Sequence, residues 1–300
     1  MRRETVGRLR RALAVAASAT LLVAVLVACG GGGGGDPVGV GGDDVARLQP
    51  GDRPVRFRLD TSVTPAEQRF IVETLEWAHA DLGDSGPLTI HVYSDMNHFV
   101  AAYTNDFGIS ADEARTQLLG GQTIFESFGG HIWIYLPNYE DAPEQERRLG
   151  LFHEYVHTVQ DWEAEVNFQS KQPAERSFVP RWMVEGCAEY LAVQAGAKRS
   201  FAEPDDERAY VVAAAKATAA PLRTFETGGQ AEFLGGSGDA YTVGWLGCER
   251  LSQVRGADAV LHGFWLAMAR DRDWARAFTD SFGMAPADFY AAFERYRATL

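Results

Sequence analysis

The chain has 300 residues, a net charge of −13 and 46% hydrophobic residues, among them 17 Phe, 10 Tyr and 7 Trp. This apolar and aromatic content excludes a wholly disordered chain. The acidic excess argues against nucleic acid as a partner, because binding to the phosphate backbone needs clustered Lys and Arg. Three cysteines are too few for a disulfide-rich scaffold. The composition therefore predicts a globular protein.

The first 28 residues combine a basic start with an apolar run. Five arginines precede residue 12, and the 17 residues 12–28 are almost entirely Ala, Val and Leu. This order is typical of a secretory signal peptide, and the alternative is a membrane anchor of minimal length. The sequence Leu-Val-Ala-Cys at 26–29 resembles a bacterial lipobox. We therefore expect removal of 1–28 and an exported bacterial lipoprotein, anchored to the membrane at its extracytoplasmic face by a lipid on Cys29.

Maturation at this position changes the charge and the thiol count. It would remove five Arg and one Glu, leaving 272 residues with 23 basic and 40 acidic side chains and a net charge of −17. Residues 29–50, rich in Gly, are predicted to be a flexible tether, and residues 51–300 a single domain. Cys187 and Cys248 remain as thiols, which either pair, as export allows, or stay free and buried.

Hydrophobic spacing divides this domain into two parts. In residues 51–142, Val55–Leu59 alternates like a strand, and Thr64 followed by Pro65 is typical of a helix start. The other elements predicted there are strands at 88–93 and 130–136 and helices at 96–103 and 111–119. Residues 143–300 are predicted to be mainly helical, at 143–164, 180–196, 204–219, 238–254, 257–270, 272–282 and 286–298. Strands followed by helices predict an α+β fold.

The helix predicted at 143–164 carries a His-Glu-x-x-His motif, at His153, Glu154 and His157. Residues four apart lie on one helix face, so both histidines can reach one metal ion. Glu154 lies beside them, where it can take a proton from a metal-bound water. Catalytic zinc needs a third protein ligand and an open position, so the motif alone leaves open two surface histidines that bind no metal.

The segment that starts at Arg181, Arg-Trp-Met-Val-Glu-Gly-Cys-Ala-Glu-Tyr, resembles the Trp-x-x-Glu-Gly-x-Ala-x-Tyr motif of gluzincins, the thermolysin-like and aminopeptidase-like (peptidase MA-like) zinc metallopeptidases. The resemblance implies a thermolysin-like zincin fold, one Zn²⁺ ion and Glu185 as third ligand. Glu185 follows His157 by 28 positions, a longer gap than is usual in the aminopeptidase branch. Gly186 is small and would let its helix approach the helix of His153 closely.

Two further residues complete the expected site. Glu189 lies on the same helix face as Glu185 and either accepts a hydrogen bond from a ligating histidine or faces solvent. Tyr241 begins a Tyr-x-x-Gly segment that resembles the one whose hydroxyl stabilises the oxyanion in aminopeptidase-like gluzincins. The alternative for Tyr241 is an ordinary aromatic helix residue.

The sequence also departs from the aminopeptidases. It contains no Gly-Ala-Met-Glu-Asn segment, so aminopeptidase specificity is not implied; the strand at 129–133 stands in that place and could bind an extended peptide through its edge. His131 either lines the cleft or is structural, and His91 is expected to be structural. The predicted function is a zinc metallopeptidase that acts on peptides or proteins. The alternatives are a zinc-containing lipoprotein that binds a protein or cell-wall partner without catalysis, and a hydrolase of other amide bonds.

Overall fold

The computed structural model describes residues 44–48, 53–117, 125–165, 179–226 and 239–300. The predicted signal peptide 1–28, Cys29 and most of the tether lie outside these residues. None of the helices in the described part of the chain combines the length and the apolar character needed to span a bilayer. In the described residues, five strands and the helices between them form the first part of the domain, and the second part is helical, which confirms the predicted α+β class.

The five strands are β1 Asp44–Leu48, β2 Arg53–Leu59, β3 Leu88–Tyr93, β4 Phe125–Phe128 and β5 His131–Tyr135. Their order in the sheet is β1-β2-β3-β5-β4, with β2, β3 and β5 parallel and the two outer strands antiparallel. The predicted flexible tether at 29–50 is corrected in its last part, because Asp44–Leu48 pairs with β2 as strand β1. A five-residue edge strand after a Gly-rich run gives little periodicity, so the sequence pattern did not reveal it.

Side chains alternate between two differently covered faces of the sheet. Phe57, Ile90 and Ile132 are paired neighbours on one face and belong to the main hydrophobic core, which also contains most of the helices. Arg58, His91 and Trp133 are paired neighbours on the other face. That second face contributes to a smaller aromatic cluster with the helix that follows β3.

The helices in the first part of the chain are α1 Pro65–Leu82, α2 Met96–Phe107, α3 Ala111–Gln117 and α4 Leu136–Glu140. Those in the second part are α5 Glu144–Glu163, α6 Arg181–Lys198, α7 Pro204–Ala217, α8 Asp239–Arg255, α9 Phe264–Asp271, α10 Trp274–Phe282 and α11 Pro286–Arg297. The cap of α1 forms as predicted, since the Thr64 hydroxyl accepts a hydrogen bond from the Glu67 backbone N–H at 3.2 Å. The helix predicted at 257–270 is interrupted by a π-helical turn over Ala259–Gly263 before α9 begins.

Helix α5 lies in the interior of the molecule. Every residue from Leu151 to Asp161 is buried, including several polar ones. On one side, the Tyr155 hydroxyl donates to the carbonyl of Gly83 at 2.8 Å, just after the end of α1. On the other side, α5 packs against α6 and against strand β4. A polar residue buried at this depth needs a hydrogen-bond partner or a ligand, so the polar residues of α5 mark the candidate site.

Candidate metal centre

Helix α5 brings His153 and His157 to one point, as the motif predicts. Their Nε2 atoms are 3.0 Å apart, and the two residues are 8% and 4% exposed. The spacing of four residues places one imidazole a turn above the other. Their Nδ1 atoms bind other side chains, so both Nε2 atoms face a common point.

Helix α6 supplies the carboxylate of Glu185. Its Oε2 atom lies 3.5 Å from His153 Nε2 and 3.4 Å from His157 Nε2. Ligand atoms bound tetrahedrally to zinc at 2.0–2.1 Å are about 3.3 Å from one another. The three donor atoms therefore fit zinc in both chemistry and spacing. These residues form one of two groups in the described part of the chain that could hold a metal ion.

The ring nitrogens of the histidines that face away from this point have different partners. His153 Nδ1 lies 3.0 Å from Glu189 Oε2, the contact predicted for a carboxylate that orients a ligating histidine. His157 Nδ1 lies 2.9 Å from Gln160 Oε1. Sequence reasoning missed Gln160, although its place three residues after His157, on the same face of the helix, could have indicated it.

Arg181 is a second residue that sequence reasoning missed. Its Nη2 atom lies 3.3 Å from Glu185 Oε1, the carboxylate oxygen that does not face the histidines. The two residues are four apart on α6, and this spacing could have identified the pair. The arginine thus occupies one oxygen of Glu185 and leaves Oε2 directed at the two imidazoles.

Tyr241, at the start of α8, also lies at this centre. Its hydroxyl hydrogen-bonds to Glu185, and its ring centroid is 6.1 Å from that of His153. Burial, with the charge of Glu185 added, raises the pKa of Tyr241 well above its ordinary value, so the hydroxyl keeps its proton. Glu154 is 8% exposed, and its charge acts on both His153 and Tyr241. All five predicted residues of the metal and catalytic set therefore lie together.

A close crossing of α6 and α8 places Tyr241 near Glu185. A Cβ atom added to Gly186 would lie 2.3 Å from the backbone of Gly244, so neither helix could approach as closely with a larger residue there. The prediction that Gly186 permits approach to the helix of His153 is therefore wrong, because its close neighbour is α8. The disulfide left open by the sequence is present, since Cys187 on α6 is bonded to Cys248 on α8.

The carboxylates determine the protonation of the metal-free centre. Burial alone would lower the pKa of His153, but hydrogen bonds to Glu185 and Glu189 outweigh it and hold this pKa well above its ordinary value. Burial would likewise raise the pKa of Glu185, but the charge of His157 and hydrogen bonds from both histidines hold it well below its ordinary value. The centre therefore stabilises positive charge, and a metal ion must displace a proton from it.

Strand β4 lies along α5 at the edge of the sheet. Near its beginning, a Cβ atom added to Gly150 would lie 2.2 Å from the Phe125 ring, and just after its end the Gly129 N–H donates to Asp161 Oδ2 at 2.7 Å. β4 therefore runs in the direction of α5, past the turns that carry the two histidines. The prediction that the strand at 129–133 offers a free edge to a peptide is corrected. β5 is paired with a strand on both sides, and β4 forms the edge of the described sheet.

The second group that could hold a metal ion lies on the other face of the sheet, under α2. His91 Nε2 is 2.8 Å from His131 Nδ1 and 3.7 Å from Asp106 Oδ2. Arg58 Nη1 lies 2.9 Å from both oxygens of Asp106. His91 is fully buried, and Trp133 stacks on it with 3.6 Å between ring centroids. His131 is therefore part of this cluster and does not line the cleft beside α5.

Comparison with known proteins supports the fold. No protein-family model matches the sequence, and no curated protein is significantly similar to it. Among solved structures, the chain is similar to an E323A mutant of the M1 zinc metallopeptidase from Deinococcus radiodurans, with a TM-score of 0.50 and 11% identity over 84% of this chain. The unmutated enzyme from the same organism gives a TM-score of 0.49 and 12% identity. The chain spans about half the length of these proteins, 50% and 49%. Its fold is similar to that of the mutant M1 zinc metallopeptidase.

Proposed function

We propose that this protein is a zinc-dependent metallopeptidase of the gluzincin type, which hydrolyses peptide bonds. The observation that supports this most is the convergence of His153, His157 and Glu185 from two helices, with Nε2 and Oε2 atoms 3.0–3.5 Å apart. Two surface histidines without a metal would need neither the third donor nor the burial. The metallopeptidase fold of the chain agrees with this proposal.

His153, His157 and Glu185 would hold one zinc ion. When bound, zinc supplies a Lewis acid that activates water and polarises the scissile carbonyl. Glu154 accepts the proton from the attacking water and delivers it to the leaving amine. The Tyr241 hydroxyl, which keeps its proton because its pKa is raised, donates a hydrogen bond to the developing oxyanion.

The edge of β4 is the proposed binding place for the substrate. An extended peptide can add to an exposed sheet edge through main-chain hydrogen bonds. Because β4 runs alongside the histidine-bearing turns of α5, a peptide bound there would pass the metal centre. The site would therefore take extended peptide or protein segments.

We also propose that the protein is an exported lipoprotein, with its domain tethered to the bacterial membrane through Cys29. The apolar run and the Leu-Val-Ala-Cys sequence support this proposal, as does the negative charge of the mature chain, which argues against direct binding to anionic lipid. In cells that express the full chain, labelled palmitate should be incorporated into the wild type and not into the Cys29→Ser variant. Equal labelling of both proteins would contradict the anchor.

The catalytic proposal is tested by Glu154→Gln in the zinc-loaded protein. Hydrolysis of a peptide library should fall by about 10²–10⁴-fold, because the variant lacks the general base, while zinc content stays the same. Glu144→Gln is the matched control, since Glu144 lies on the same helix but pairs with Arg148 away from the centre. If wild type and Glu154→Gln both bind zinc and neither hydrolyses any peptide, the alternative of a non-catalytic zinc lipoprotein is favoured.

A further inference from the structure

Gln160 is a buried polar residue of α5 that also contacts α6, the helix of Glu185. It is 2% exposed and uses both ends of its amide. Its Oε1 atom lies 2.9 Å from His157 Nδ1, and its Nε2 donates to the backbone carbonyl of Val184 at 3.2 Å. Val184 precedes Glu185 in the chain. The Gln160 side chain therefore contacts one metal-binding residue, His157, and the backbone next to a second one, Glu185.

These two hydrogen bonds determine the tautomer of His157. A backbone carbonyl can only accept, so the NH₂ end of the Gln160 amide must face Val184. The amide oxygen then faces His157, and an amide oxygen can also only accept, so His157 Nδ1 must carry a proton. The neutral ring is left with its lone pair on Nε2, the atom that lies 3.0 Å from His153 Nε2. The carbonyl of Val184 thus selects, through Gln160, the tautomer of His157 that can bind a metal.

We propose that Gln160 is a positioning residue, which holds His157 in its metal-binding tautomer and ties it to the helix of Glu185. The inference rests on the proposed zinc site. The two histidines are supported differently: Glu189 presents a carboxylate to His153, whereas Gln160 presents a neutral amide to His157. The amide oxygen can only accept a hydrogen bond, so the neutral form of His157 keeps its proton on Nδ1.

The proposal is tested by measuring the zinc affinity of the full chain by competition with a chromophoric chelator. Gln160→Met keeps the side-chain length and removes both hydrogen bonds, and it should weaken zinc binding by about 10–100-fold, as loss of such partners of metal ligands typically does. Gln160→Glu keeps an acceptor for His157 and should bind zinc more tightly than Gln160→Met. Thr158→Val is the matched control, because Thr158 is also buried on α5 and donates to the Tyr155 carbonyl at 2.7 Å.

The outcomes separate this inference from the function on which it rests. The free energy of unfolding of each metal-free variant is measured by urea titration, so that a general loss of stability is recognised. A zinc affinity of Gln160→Met equal to that of Thr158→Val, at equal stability, would overturn the role of Gln160 and leave the proposed peptidase intact. Equally weak binding by Gln160→Met and Gln160→Glu would also overturn it, because packing would then be responsible. A wild type that binds no zinc would overturn both.

Discussion

The two histidine clusters of this molecule contain the same residue types in opposite surroundings. In each, two imidazoles lie near a carboxylate, and an arginine pairs with that carboxylate. Arg181 Nη2 contacts Oε1 of Glu185, whereas Oε2 faces the two histidines. Arg58, in contrast, contacts both oxygens of Asp106 at 2.9 Å. The carboxylate of the second cluster is therefore already neutralised by its arginine.

The orientation of the imidazole rings also differs between the two clusters. At the α5 centre, Glu189 and Gln160 occupy the Nδ1 atoms, and both Nε2 atoms converge. In the sheet cluster, the two histidines bind each other, and His91 Nδ1 has no hydrogen-bond partner among the described residues. A metal site thus needs more than nearby ligands: its ring orientation must be fixed from outside, and one carboxylate oxygen must stay available. We therefore expect zinc at the α5 centre only.

The largest expected effect is the loss of zinc on removal of a ligand. His157→Ala should reduce the zinc content of the purified protein from about one equivalent to near zero and abolish peptidase activity, because catalytic zinc needs three protein ligands. His131→Ala, the matching change in the sheet cluster, should leave one equivalent and the activity in place. Metal analysis by mass spectrometry checks both. A wild type with two equivalents, one of them lost in His131→Ala, would break the comparison.

The next largest expected effect is a loss of stability on removal of the disulfide, which lies beside the α5 centre and not in the sheet cluster. Cys187 and Cys248 are 61 residues apart in sequence and join α6, with Glu185, to α8, with Tyr241. Replacing both by Ala should lower the free energy of unfolding by about 3–4 kcal/mol, because the unfolded chain is no longer constrained. Urea unfolding of the metal-free protein measures it. The single variant Cys248→Ala should lose as much, and an unchanged midpoint in both would contradict the role of this bond.

Tyr241→Phe should lower kcat by about 10²–10³-fold, the usual consequence of removing one hydrogen-bond donor to an oxyanion. KM and zinc content should hardly change, since the hydroxyl acts on the transition state. Tyr190→Phe is a suitable control because Tyr190, on α6, packs its ring against Trp245. Steady-state kinetics on one peptide distinguishes a donor to the oxyanion from an ordinary aromatic residue. Equal kcat values for Tyr241→Phe and Tyr190→Phe would show that Tyr241 is an ordinary aromatic residue.

The sequence predicted the α5 centre better than its surroundings because its signals are local. His153 and His157 are spaced by one helical turn, and Glu185 and Glu189 by another, so each pair is visible within five residues. Most helix limits followed from the 3.6-residue periodicity to within a few residues. Gln160 and Arg181 have the same kind of spacing, but Gln and Arg are common on helix surfaces, so the pattern alone does not distinguish them.

The remaining features depend on contacts between distant segments. His91 and His131 are 40 residues apart and meet only because β3 and β5 pair in one particular register. Gly186 packs against Gly244 on α8, and the sequence around either glycine does not indicate which helix it will contact. The short outer strands β1 and β4 are too brief for a periodic pattern. Tertiary pairing, which a single sequence does not display, determines all of these.

The smallest effect is a pH dependence of stability with opposite sign in the two clusters. Burial, with the charge of Arg58 added, lowers the pKa of His131 from 6.5 to about 4, and burial with the neighbouring charges lowers that of His91 too. The unfolded chain therefore binds protons that the folded sheet cluster excludes, and stability falls as pH drops from about 6.5 towards 4. For His131 this amounts to about 2 kcal/mol between pH 7 and 5.

In the metal-free α5 centre the sign is reversed, because the pKa of His153 is raised. Its stabilising contribution is complete below the ordinary histidine pKa and is lost as pH rises through the raised value. The two contributions are separated by urea unfolding of metal-free wild type and His131→Gln at several pH values. The difference in free energy of unfolding between them should change by about 2 kcal/mol between pH 7 and 5, in favour of the variant at low pH. A difference that is constant over this interval would mean that His131 is not kept neutral by its burial, and the contrast between the clusters would then rest on hydrogen bonding alone.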